Sequence, residues 1–156
     1  MSPVPEARTP AHERRAPLDA LTRAAYSLSA ADARLRGRAT RTPGALSLTH
    51  ARALRVLAEE GPLPVKRLAE RAETTGAAAT QLVNGLVRAG HVTRERPDND
   101  RRSVLVTLTP AGLRRHRERE QVLGRALDEA LQHLDDQALR AATEVLRRLA
   151  VIYDGL

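Results

Sequence analysis

Residues 94–102 read Arg94-Glu95-Arg96-Pro97-Asp98-Asn99-Asp100-Arg101-Arg102, "RERPDNDRR": four turn-forming residues with two arginines on either side. Upstream lies "HVTRER" and downstream "SVLVTL", in which Val104, Val106 and Leu108 share one face at period two. The combination predicts a β-hairpin with an arginine-rich tip. A solvated hairpin with incidental charge is the plain alternative for this stretch taken alone. What precedes it decides between the two.

Before the hairpin the chain carries two short helical patterns. Pro64, suited to a first helical position, opens "PVKRLAERA", burying Val65, Leu68 and Ala69. After "ETT", a helix starting from Thr74 or Thr75 runs "GAAATQLVNGLVRA" and stops at Gly90, a residue fit for the left-handed position after a helix. Leu82, Val83 and Leu86 are expected in the core. Two short helices joined by a four-residue turn, then a basic hairpin, make a winged helix-turn-helix: the second helix enters a major groove and the tip reaches the minor groove or backbone. A tight tip suits a groove about 6 Å wide, and arginine is drawn to the negative potential of a narrowed one.

Working outward, Thr49 is an expected N-cap for a helix with Leu54, Leu57 and Ala58 on its apolar side, ended by Gly61-Pro62. Leu18, Leu21, Ala25, Leu28, Ala31 and Leu35 predict an earlier helix, from near Pro17 to about Arg38, closed by "TRTPGALS". Beyond the hairpin, Thr109-Pro110 starts a long helix striped by Leu123, Leu127, Ala130, Leu131 and Leu134. A final helix follows Asp135-Asp136 and carries Leu139, Ala142, Val145, Leu146, Leu149 and Ile152. The expected fold is mainly α with a small β-hairpin wing. Residues 1–17, rich in Pro, Ala and charge, read as a disordered arm. Residues 18–47 form an N-terminal helix of a dimerisation region, 48–109 the DNA-binding domain, and 110–156 the C-terminal helices of the dimerisation region.

Composition narrows the function classes. Of the 156 residues none is cysteine, which excludes a disulfide scaffold, a thiolate metal site and cysteine redox sensing. No run approaches the ~18 apolar residues of a membrane span, and the N-terminus lacks a signal-peptide core, so a cytoplasmic protein without a membrane partner is expected. The net charge of +7 favours a polyanionic partner. By segment the formal charge is +1 for 1–17, +3 for 18–47, +3 for 48–109 and 0 for 110–156. Lys66 is the only lysine, so the positive charge is almost all guanidinium, although high Arg and Ala usage is equally what a GC-rich genome produces. There is no His-Glu-x-x-His motif, no glycine-rich phosphate loop before a helix and no G-x-S-x-G turn; an enzyme is not expected, nor a cofactor.

From about Leu48 to Gly112 the chain resembles the MarR family of bacterial transcriptional regulators. The residues that carry the likeness are "LTHARALRVLAEEGPLPVKRLAERA" and "TQLVNGLVRAGHVTRERPDNDRRSVLVTLTPAG", with the "LAER" helix, the "L-x-x-x-G-x-V" exit, the "D-R-R" wing and the "LT-x-x-G" opening of the long helix in order. Outside this core the likeness is architectural only. The resemblance implies a repressor that binds a pseudo-palindromic operator in double-stranded DNA and is released by a small-molecule effector. Thr75, Thr80, Gln81 and Asn84 are then candidates to contact bases or phosphates, amides suiting adenine. Arg102 is the candidate for the minor groove with Asp100 orienting it, and Asn99 shapes the tip. Arg88, Arg94, Arg96 and Arg101 are candidates for phosphates.

The resemblance also implies a homodimer with the first, fifth and sixth helices intertwined, and the apolar stripes on those helices, the last two of which lie in a segment of zero net charge, agree independently. Relatives often bind small aromatic or phenolic anions; Tyr26, Arg34 and Arg52 are the candidates here, in a chain with no Trp or Phe. Because some members sense zinc, His50, His116 and Glu120 are candidates for a metal, against the plainer reading of solvated side chains. The competing class is a non-regulatory architectural nucleic-acid module, which shares the basic wing but discriminates little between sequences. A protein-binding winged helix would not require Arg102. In the arm, Arg8, Arg14 and Arg15 are candidates for further DNA contacts.

Overall fold

A computed structural model of the chain describes residues 11–39, 41, 46–100 and 102–156. Its elements are α1 (Ala11–Ala39), α2 (Leu48–Glu60), β1 (Leu63–Pro64), α3 (Val65–Arg71), α4 (Gly76–Arg88), β2 (Val92–Glu95), β3 (Leu105–Leu108), α5 (Pro110–Leu131) and α6 (Asp136–Asp154). The architecture is mainly helical, with a small antiparallel sheet of order β1-β3-β2.

Local chemistry explains most helix starts. Thr75, Thr109 and Asp135 sit in extended backbone and accept the N–H of Ala78, Gly112 and Ala138 on their side-chain oxygens, which satisfies one orphan donor of each first turn. For α2 the cap is Ser47, not Thr49: its hydroxyl accepts the His50 N–H at 3.2 Å, which places Thr49 inside the first turn. Pro64 stands one residue before the helix it was expected to open, at the N-cap of α3. Gly61 and Gly90 take φ of 80° and 75°, where a side chain would be strained, and each ends a helix. Glu73, in the turn between α3 and α4, holds φ 53° without being glycine, with Arg52 3.7 Å from its carboxylate.

At the N-terminus the helix starts six residues earlier than Pro17 and runs through it. Pro17 supplies no N–H, so that turn lacks one backbone bond, and residues 13–20 are all exposed. Residues 11–17 of the expected arm are therefore helical, and residues 1–10, Arg8 among them, lie outside the described residues; Arg14 and Arg15 stand on α1.

The sheet pairs Val92 with Leu108, Thr93 with Thr107, Arg94 with Val106 and Glu95 with Leu105. Its third strand is the dipeptide Leu63–Pro64, opposite Val106 and Leu105. The core lies between the helix-turn-helix and this sheet: Leu54, Leu68, Val83, Leu86, Val92 and Val106 are its largest fully buried side chains, with Leu82 5% exposed beside them. Around it α1, α5 and α6 bury little. Gly112 is the one buried residue of α5, α6 has none, and Leu123, Leu127, Leu146, Val151 and Ile152 stand open to solvent. Among the described residues no helix is long and apolar enough to cross a membrane.

Candidate nucleic-acid interface

Helix α4 divides cleanly. Ala79, Leu82, Val83 and Leu86 face the core, which turns Thr80, Gln81, Asn84 and Arg88 to solvent at helical spacing. Gly85 sits mid-helix because α2 passes close by: a Cβ there would lie 3.1 Å from His50 Nε2. That imidazole is anchored on its other side, where Nδ1 and Ser47 Oγ share a hydrogen bond at 2.6 Å. Burial holds the His50 pKa below the ordinary imidazole value, and the neighbouring His91 adds to the effect. His91 shifts the same way, first through burial and then through the Arg115 guanidinium.

The wing stands against this helix. Arg94 on β2 donates from Nη2 to Oδ1 of Asn84, joining the hairpin to the exposed face of α4. Gln81, Asn84, Val87, Arg88 and Arg94 line one concave surface between the two elements. At the tip the Asp100 N–H donates to the Pro97 carbonyl at 3.2 Å, closing the turn. The Asp100 carboxylate accepts from Ser103 Oγ at 2.7 Å and from the Arg102 N–H at 2.9 Å. These bonds, that of Ser103 above all, lower its pKa. Asp100 thus fixes the backbone at Arg102 rather than its guanidinium. Arg96, Asn99 and Arg102 are exposed; Arg101 lies outside the described residues.

Behind the wing, α5 is fastened to the joint between α4 and β2. Thr109 donates its N–H to His91 O at 3.0 Å and its hydroxyl to Gly90 O at 2.7 Å, while the same oxygen caps Gly112. Gly112 presses against His91 so closely that a Cβ would fall 2.0 Å from the His91 carbonyl oxygen. Only glycine fits.

The effector and metal candidates are not brought together. Tyr26 belongs to a concavity between α1 and α6 that Tyr153, Arg14 and Arg148 also line. Arg34 lies on another surface with Arg38 and Arg41, and Arg52 faces Glu73. Glu120 is 3.8 Å from Arg55, on the side of α5 that packs on α2, and no group of three or more metal-ligating side chains occurs among the described residues. Ser103 carries no signal in the sequence; its bond to Asp100 comes from the folded tip.

Comparison with known proteins matches this geometry. A model of the MarR family matches residues 46–103. The HTH-type transcriptional regulator FarR of Neisseria gonorrhoeae is 31% identical over 105 residues, covering 67% of this chain and 72% of FarR. A probable transcriptional regulator from Pseudomonas aeruginosa has 27% identity and a TM-score of 0.64 over 80% of this chain and 95% of its own. A MarR family protein from Bacillus stearothermophilus has 26% identity and a TM-score of 0.63 over 94% and 99% of the two chains. On its sequence relatives, its helix-turn-helix and its wing, the chain belongs to the MarR family of transcriptional regulators.

Proposed function

We propose that the chain is a homodimeric repressor that grips a pseudo-palindromic operator and releases it when a small molecule binds. The observation that carries the DNA-binding part is the concave surface that Gln81, Asn84 and Arg88 on α4 share with Arg94 on the wing, with Thr80, Arg96 and Arg102 exposed on the same two elements. In this reading α4 lies in the major groove, with amides and hydroxyl at base edges and Arg88 at a phosphate, while Thr75 uses its hydroxyl to cap α4. Arg102 enters the minor groove beyond, on a backbone that Asp100 holds.

Dimerisation is supported by the apolar side chains left open on α5 and α6, Leu123, Leu127, Leu146, Val151 and Ile152 among them. Two α4 helices then sit about 34–36 Å apart, one DNA turn. Release by a small molecule is supported by the α1/α6 concavity, where Tyr26 and Tyr153, the chain's two aromatic residues, occur with Arg14 and Arg148. A flat apolar body with guanidinium beside it suits a small aromatic anion.

The test is a competition titration on DNA from upstream of the protein's own gene against unrelated DNA, for wild type and Arg102→Ala. A preference of ~10³-fold or more, strongly weakened in the variant, is expected. Equal binding to both DNAs would leave an architectural module instead.

A further inference from the structure

We infer that Arg94 sets the base preference of Asn84, turning an amide that would otherwise read adenine into one that reads guanine or thymine. The inference rests on the placement of α4 in the major groove. It starts from chemistry at one bond. A free asparagine reads adenine with both ends of its amide, the oxygen accepting from N6 and the nitrogen donating to N7. In this structure the oxygen is engaged by Arg94. A guanidinium carries donors and no acceptor, so the amide atom that faces it is necessarily the oxygen.

What Asn84 keeps unshared for a base is its NH2, a group that only donates; its oxygen has a second lone pair, but an adenine N6–H would have to approach it beside the Arg94 guanidinium. Adenine's major-groove edge asks for an acceptor and a donor side by side. The edges that take donors alone are guanine, with N7 and O6, and thymine, with O4. The two backbones that carry the pair are held in place. Asn84 stands on a regular helix whose opposite face is buried, and Arg94 stands on β2 across from the fully buried Val106. The bond is charge-assisted, and covering it with DNA lowers the local dielectric, which strengthens it.

Gln81 supplies an internal contrast. It lies three residues earlier on the same exposed face, and its amide has no hydrogen-bond partner among the described residues. It keeps both ends free and remains able to read adenine. The two amides of α4 therefore read different edges, and Arg94 acts as a positioning residue for one of them.

The experiment is enrichment of bound sequences from a random duplex library by the full chain as wild type, Asn84→Ala, Arg94→Ala and Arg94→Lys. The position whose preference Asn84→Ala erases is the one Asn84 reads. There wild type is expected to favour guanine or thymine over adenine by about tenfold. Arg94→Ala frees the oxygen and shifts that single position toward adenine, leaving the other positions of the half-site unchanged; Arg94→Lys, again a pure donor, restores the wild-type preference. Loss of a phosphate contact alone would weaken binding uniformly and move no position.

Adenine preferred by wild type at that position overturns the inference, as does an unchanged preference in Arg94→Ala. Wild type that enriches sequences while Asn84→Ala alters no position also overturns it and leaves the regulator reading standing. Wild type that enriches nothing overturns both.

Discussion

Replacing Gly112 with alanine sets two effects of known sign against each other. A glycine in the first turn of a helix costs up to about 1 kcal/mol relative to alanine, so propensity alone favours the change. Against it, the new Cβ would lie 2.0 Å from His91 O and 2.9 Å from both His91 C and Leu108 Cδ1. Relief needs a shift of more than about 1 Å, because a carbon rests ~3.3 Å or further from a carbonyl oxygen. Overpacking a tight site costs about 1–3 kcal/mol, and the upper end applies where the obstacle is backbone. The same carbonyl accepts the Thr109 N–H at 3.0 Å, so moving it weakens a bond worth about 1 kcal/mol. The propensity gain and the weakened bond roughly cancel, leaving ~3 kcal/mol of destabilisation. For a chain of this size that is a fall in Tm of about 6–12 °C. Thermal unfolding followed by circular dichroism, at fixed chain concentration, measures it. Gly76→Ala, in the first turn of α4 where a Cβ meets nothing within 4 Å, is the matched control and should raise Tm slightly or leave it unchanged. Gly112→Ala melting at or above wild type would refute the reasoning, because propensity would then have won over packing.

Four further outcomes are expected. His50 and His91 have depressed pKa values in the fold, so the unfolded chain binds more protons just below the ordinary imidazole value of 6.5; stability is then full above that value and falls as pH drops from 6.5 through the lowered folded values. Melts between pH 7.5 and 5 should show this slope, and a His50→Asn, His91→Gln double variant that keeps it unchanged would assign it elsewhere. Thr109→Val removes the α5 cap and the bond to Gly90 O, for a loss of about 1–2 kcal/mol in a urea titration; no change in midpoint would mean water replaces both. Val151→Glu alters a side chain 73% exposed in the single chain, so light scattering that drops to the monomer mass locates the dimer interface on α6, and an unchanged mass removes that face from it. Arg96→Ala should weaken binding to all DNAs alike and reduce the salt slope by about 1 per half-site; a change confined to one sequence would make Arg96 a base reader.

The sequence was most legible where the physics is local. Thr109 and Asp135 announce their helices, and Thr74-Thr75 narrows the start of α4 to two residues, because a cap bonds within three residues; Gly61 and Gly90 mark stops because a left-handed residue is needed there. Periodicity separated Leu82, Val83 and Leu86 from the exposed face of α4. Three features resisted reading. Ser47 and Thr49 are equally good caps by residue type, and the choice was made by how α2 packs His50 toward Gly85. Leu63–Pro64 is too short for any alternation and is a strand only because β3 lies beside it. Pro17 marks a helix start by propensity, yet α1 continues through it. At the candidate interface the residue types were visible, whereas the bonds that orient them were not: Asn84 with Arg94 and Gly112 with His91 are contacts across elements, and no local pattern encodes them.

The fastening of Thr109 and Gly112 onto Gly90 and His91 gives α5 the character of a lever. Its 22 residues span ~33 Å, so a tilt of about 5° at the fastened end displaces the far end by ~3 Å. That is close to the ~3.4 Å rise of one base pair. In the proposed dimer, paired through its outer helices, a tilt of a few degrees would change the separation of the two α4 helices by about the rise of one base pair. Because Gly112 is pressed against His91, α4 and the wing would follow α5 as one body, and a small tilt of that body would become a mismatch of register.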